Sequence, residues 1–342
     1  MKGASSELIR HRLMIMQLSL FPTKQCTVDL RSYDYTIIAF SGGKDSLACL
    51  LWAIANNAPN IELWHHDVDG REGSTLMDWP VTRAYCQAIA QAFNLPIYFS
   101  WLEGGFEREM LRDNQKTAPT FFETPEGINQ AGGITGKNNT RLKFPQVSGN
   151  LSVRWCSAYL KIGVCSKAIA NQERFTGKRT LVLSGERAQE SPQRAKYKQF
   201  EPDKTNCQKR HVDRFRPVHL WSEEQVWEII QRHKVNPHPA YHLGWGRLSC
   251  MSCIFGSANQ WASIKAIAPE HFEAIATYEE QFNCTIQRSE SVRQMAARGI
   301  PYAGTANALT VEQALSTEFN QQVFIEDWRL PSGAYGEQNG SV

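Results

Sequence analysis

The stretch Ser41-Gly42-Gly43-Lys44-Asp45-Ser46 brings together the residue types that hold phosphate. Two glycines let backbone N–H groups turn toward an anion, a helix start adds partial positive charge, and Lys44 adds a full one. It departs from the Walker pattern, which needs Gly at Ile38 and Ser or Thr at Asp45. A second cluster is Cys250-Met251-Ser252-Cys253, a CxxC that reads as metal or iron–sulfur ligands, as a redox dithiol, or as two packed thiols. A third is the window from Arg194 to Arg216, with eight basic residues against three acidic ones, richer in positive charge than the chain's net +3. A polyanion backbone would lie against such a window.

These residues need elements to place them. Thr36 to Phe40 is a β-branched, apolar run entering the Gly-Gly turn, and Leu47 to Ala55 continues as a helix, so the loop joins strand to helix. Strands are expected at Ile61 to His66, Pro96 to Trp101 and Thr180 to Ser184, with helices at about 75–93, 103–115 and 157–172. This alternation predicts an α/β fold: a parallel, twisted sheet with helices on both faces and ligands at the carboxyl ends of the strands. Prolines 119, 125 and 145 and five glycines between 117 and 150 predict a long functional loop. Ser222 with Gln225, and Thr310 with Gln313, read as capping boxes of later helices. The domain reading is an N-terminal helical extension (1–35), an α/β domain (36–220), a mainly helical region carrying the CxxC (221–330) and a disordered polar tail (331–342).

Composition bounds the function. At 342 residues with 42% hydrophobic and 21% charged side chains, the chain can bury a core. A net charge of +3 makes any nucleic-acid footprint local. No run approaches the roughly 18 to 20 apolar residues of a spanning helix, so no membrane partner is expected. Leu13 to Phe21 reads as an amphipathic helix, and nine cysteines, an odd count, point to reduced thiols or a metal site in the cytoplasm.

The loop resembles the PP-loop ATP pyrophosphatases, whose signature is SGGKDS. Arg154-Trp155-Cys156, Leu160-Lys161, Gly185-Glu186-Arg187, Arg216-Pro217-Val218, Pro239-Ala240-Tyr241 and Cys250/Cys253 follow in order. Together they resemble the branch related to phosphoadenosine phosphosulfate reductase, and most of all the enzymes of DNA phosphorothioation systems (the DndC and SspD type). The resemblance implies cleavage of ATP, with Mg²⁺, between the α and β phosphates, giving AMP transfer and pyrophosphate. It implies that Ser41 to Ser46 bind the nucleotide, that Lys44 and Arg187 are catalytic, and that Asp67 meets ribose or Mg²⁺; Asp67 reads equally well as a turn residue. It also implies a [4Fe–4S] cluster on Cys156, Cys250 and Cys253, for which Cys207 is the named fourth ligand because Cys165 faces the wrong side of its helix. The implied partners are DNA, a cysteine desulfurase or sulfur carrier, and other modification subunits. RNA thiolation and a nucleotide-sensing subunit are alternatives. Sulfonucleotide reduction is disfavoured, because a Glu-Cys-Gly motif is expected and Asn283-Cys284-Thr285 stands at the C-terminal cysteine.

Overall fold

The computed structural model describes residues 28–337. The expected N-terminal helix at Leu13 to Phe21 lies outside the described residues. Eight strands form one sheet: β1 Tyr35–Ala39, β2 Ile61–Asp67, β3 Ile97–Leu102, β4 Thr120–Thr124, β5 Gly127–Ala131, β6 Arg179–Leu183, β7 Phe200–Pro202 and β8 His211–Phe215. Their order is β5-β4-β3-β2-β1-β6-β8-β7. The five central strands from β3 to β8 are parallel, and antiparallel β4, β5 and β7 finish the edges.

Alternation along the strands sorts side chains to the two faces. Ile38, Leu63, Leu181 and Leu183 pack under α1 (Lys44–Ala55), α2 (Thr82–Ala92) and the helix Glu223–Arg232. Their neighbours Ile37, Trp64 and Val182 meet the other face, covered by Cys165, Ala168 and Ile169 of the helical run 155–170. That run contains one π-helical stretch, Ala158–Gly163. A third core gathers Val68, Phe106 and Trp155 with the C-terminal helices Ala258–Ile267, Pro269–Phe282 and Val292–Arg298. The α/β class with a helical C-terminal region is therefore as the sequence predicts.

Several expectations change. The helix Glu223–Arg232 shares a core with the sheet through Trp227 and Ile230, so a boundary at 221 would cut through packed side chains. The Gly- and Pro-rich segment 117–150 is not wholly loop, since it supplies the β4–β5 hairpin. The last C-terminal helix, Ala308–Leu315, starts at Asn307, whose side chain accepts from the Thr310 N–H, one turn before the expected capping box. The tail expected to be disordered is placed as far as Glu337, and Gly333 donates to the Tyr241 carbonyl at 2.7 Å. Among the described residues, no helix is long and apolar enough to cross a membrane.

Candidate functional site

Chain order reverses across β1: β2 and β3 build to one side, then β6 and β8 to the other. Ligands of open parallel sheets sit at such a crevice. A cavity of about 300 Å³ lies there, walled by Phe40 and Ser41 after β1, His65 and His66 of β2, Ser184 after β6 and Arg214 of β8. The phosphate loop occurs as expected, between β1 and α1, with Gly42 at φ +79°. Ser41 reaches the cavity and stands 3.3 Å from Ser46 Oγ, which donates to the Gly43 carbonyl at 2.9 Å.

Lys44 and Arg187, predicted to act on the nucleotide, do not line this cavity. Lys44 is 2% exposed; its Nζ donates to the Gly246 carbonyl at 2.8 Å and lies 3.3 Å from Glu223. Arg187 is fully buried, bonded to Asp45 at 2.6 Å and to Gln189 at 2.7 Å. Burial opposes each of these charges, yet Asp45 holds the Lys44 and Arg187 cations above their ordinary values, and they in turn hold its carboxyl below. This is a neutralised brace behind the loop. Gly185 completes it: a Cβ there would stand 2.8 Å from the Asp45 backbone carbon, so only glycine lets the end of β6 touch the start of α1.

Asp67 is also turned elsewhere, bonded to Arg71 at 3.1 Å, and it lines a neighbouring cavity with Asp69. Asp69 accepts from the Met77 and Asp78 N–H groups, and burial raises its carboxyl to about 7. His66 of the cavity wall meets Ser100 Oγ at 2.7 Å, and burial lowers it to about 3, so it is neutral.

The free cations are ones the motifs mention without giving them a role. A smaller space of about 100 Å³ adjoins the main cavity and shares Arg154, Ser157, Lys161, Arg194, Ser249 and Cys250 with it. No carboxylate lines this annexe, whereas Arg154, Lys161, Arg194 and Arg247 do. Arg194 pairs with Glu190, but Arg154 has no ion-pair partner among the described residues, its Nε is buried without a hydrogen bond, and burial lowers its guanidinium from the ordinary value. Lys161 is accessible, 4.0 Å from Cys250 Sγ. Arg154 stands just before the helical run and Lys161 in its π-helical stretch, so no regular spacing in the sequence announces that the two share a cavity.

Cys156, Cys250 and Cys253 line the annexe as well. Burial pushes the Cys250 thiol well above its ordinary value and raises Cys156. Cys207, the expected fourth ligand, is exposed in the β7–β8 turn, where its backbone is paired with Arg210 at 3.1 Å in both directions. The donor set therefore does not fit a four-thiolate cluster, and among the described residues no group of three His, Cys, Asp or Glu could hold a metal ion. The basic window is likewise a hairpin with much of its charge spent: Arg214 pairs with Asp203 at 2.6 Å, and Arg216 with Glu201 at 2.8 Å.

Residues 135–255 match the phosphoadenosine phosphosulfate reductase domain, a range that holds all four annexe cations and the CxxC but not the phosphate loop. The chain is 27% identical over 267 residues to an uncharacterized 37.8 kDa protein in the gpa 5′ region of Escherichia phage 186, covering 75% of this chain and 77% of that one. It is 28% identical over 98 residues to the adenosine 5′-phosphosulfate reductase of Allochromatium vinosum, covering 29% of this chain and 34% of the reductase. The domain match and the match to the Allochromatium reductase agree with the reductase-related side of the resemblance. Among solved structures, the Candida glabrata FMN adenylyltransferase in complex with ATP is 13% identical at a TM-score of 0.36, covering 72% of this chain and 61% of that one. At that score the likeness extends to no residue.

Proposed function

We propose that the protein is an ATP pyrophosphatase that adenylates an oxyanion seated in the annexe, as the activating step of sulfur insertion. The observation that supports this best is the joining of two anion-binding features in one crevice: the phosphate loop at the end of β1, and a carboxylate-free annexe whose Arg154 guanidinium lies 5.8 Å from the Phe255 ring centre and has no ion-pair partner among the described residues. MgATP is the substrate. An acceptor oxygen attacks the α-phosphorus, the bond from that phosphorus to the bridging oxygen breaks, and pyrophosphate leaves with the electron pair. Arg154 and Lys161 bind the anionic acceptor and offset its repulsion of the triphosphate. The thiols of Cys156, Cys250 and Cys253 border the place where the activated group forms.

The acceptor in this reading is a phosphate of a nucleic-acid backbone, DNA before RNA, with sulfur delivered by a desulfurase or carrier. Lys196, Lys198, Lys204, Lys209 and Arg210, which have no carboxylate ion pair among the described residues, are contacts left to a polyanion in the basic window. A second reading, reduction of a sulfonucleotide, is favoured by the matched domain and the three annexe thiols.

Product analysis separates the readings. With MgATP and duplex DNA, pyrophosphate and AMP are expected in equal amounts, the AMP joined to DNA or freed when water displaces it, at a rate that DNA increases. ADP and phosphate as the main products would refute the pyrophosphatase reading, and sulfite released from a sulfonucleotide with a thiol reductant would establish the second.

A further inference from the structure

The segment from Tyr241 to Leu248 lies on the phosphate loop. The Tyr241 hydroxyl accepts from the Lys44 N–H at 2.9 Å and from the Leu248 N–H at 3.2 Å. The Lys44 ammonium donates to the Gly246 carbonyl at 2.8 Å. Leu248 covers the turn, with its Cβ 3.3 Å from the place of a Cβ on Gly43. The first amide of α1 and the loop's only ammonium, two donors suited to an anion, are thus already taken by the protein's own oxygens.

That segment is held from behind by residues 332–337. Gly333 donates to the Tyr241 carbonyl at 2.7 Å, and Ser332 Oγ donates to the His242 carbonyl at 2.7 Å. Gly246 and Gly336 touch backbone to backbone, since a Cβ on Gly246 would stand 2.7 Å from the Gly336 carbonyl carbon. Glu337 anchors the end by accepting from Ser257 Oγ at 2.5 Å, Asn259 Nδ2 at 2.6 Å and the Tyr302 hydroxyl at 2.9 Å. Ser332, Tyr335 and Glu337 are exposed, Gly333 is buried and Ala334 packs on the edge of the core, so this strap offers little apolar side chain and is tied mainly by hydrogen bonds. Segments tied in that way open at small free-energy cost compared with core elements.

We propose that residues 332–337 are a latch which keeps the Tyr241–Leu248 segment closed on the phosphate loop, and that a nucleotide phosphate enters only when the latch opens, because it competes with Tyr241 and Gly246 for the same donors. The nucleotide half rests on the function proposed above; the latch itself does not. The closed state is self-capped, and the apparent affinity for nucleotide is the intrinsic affinity reduced by the open fraction. Opening the latch also moves Ser249 and Cys250, so loop and annexe become available together.

The test is amide hydrogen exchange on the full chain without nucleotide, followed in peptides holding Lys44 and Leu248, alongside titration with MgATP. Gly333→Ala puts a Cβ 2.3 Å from the Trp245 carbonyl oxygen and forces the strap off. Exchange at both amides rises about tenfold or more, and the MgATP dissociation constant falls by the same factor. Ser332→Ala removes one hydrogen bond, gives the same pattern at smaller size, and serves if Gly333→Ala does not fold. Wild-type exchange in both variants, or a rise at only one of the two amides, overturns the latch. A rise with MgATP bound at unchanged affinity overturns the competition. A rise with no MgATP binding in any form upholds the latch and refutes the nucleotide reading instead.

Discussion

The brace behind the phosphate loop and the annexe beside it are both rich in cations, and they use them in opposite ways. Lys44 and Arg187 are buried against Asp45 and Glu223, so each charge is answered within the protein. Arg154 and Lys161 face a space that no carboxylate lines. A compensated cation braces the closed state, because its partner is costly to leave alone, and meets a ligand only after that state opens; an uncompensated one is available at once. The difference shows that prominence in a motif does not say which of these roles a charged residue takes.

The largest effect expected is on stability at the brace. Arg187→Ala leaves the partly buried Asp45 beside Lys44 with half its compensation, and should lower the unfolding free energy by about 3 kcal/mol, read from denaturant midpoints. The comparison breaks if that variant is as stable as wild type and loses only turnover.

At the annexe the pattern should reverse. Arg154→Met removes a guanidinium with no ion-pair partner whose Nε is buried without a hydrogen bond, so stability should hold or rise by about 1 kcal/mol. Binding of a probe anion such as inorganic sulfate should weaken roughly tenfold to a hundredfold, the worth of a charge-assisted hydrogen bond. Calorimetric titration measures this. Equal losses of stability for Arg154→Met and Arg187→Ala would erase the distinction between the two regions.

A further effect is on pH dependence, and it comes from a group that belongs to neither region. His238 is fully buried, accepts from the Ala240 N–H at 3.2 Å, and is lowered by burial to about 3. The unfolded chain takes a proton there below about 6.5, while the folded chain does not until about 3. The neutral form's contribution to stability is therefore complete above about 6.5 and falls as the pH drops toward 3. His238→Gln should flatten that acid loss by one proton's worth in denaturation midpoints between pH 7 and 4, whatever its effect at neutral pH. An unchanged slope would mean that His238 protonates in the folded state.

Much of the frame is legible in the chain's local pattern. The run from Thr36 through Ser46 shows strand, turn and helix because the signals are contiguous, and Ser222 with Gln225 forms its capping box. Less legible is whatever depends on distant partners. Lys44 looks like a phosphate ligand, and nothing nearby announces that its acceptor is the carbonyl of Gly246, 202 positions later. Cys207 and Arg214 lie in a window that reads as a polyanion footprint because its charges are dense, yet Val212 and Phe215 are buried on opposite faces of the sheet and anchor β8 beside β6. The tail reads as disordered from its polarity, because hydrogen bonds between its backbone and the Tyr241 turn leave no hydrophobic trace.

Gly185 bears on how the crevice behaves mechanically. Where a side chain separates two elements, its rotamers take up small shifts like a cushion. Between Gly185 and the Asp45 backbone nothing intervenes, so the end of β6 and the first turn of α1 form a stiff joint. A displacement of the phosphate loop of even a few tenths of an ångström is passed on undamped to Ser184 and Glu186, on the far wall of the cavity.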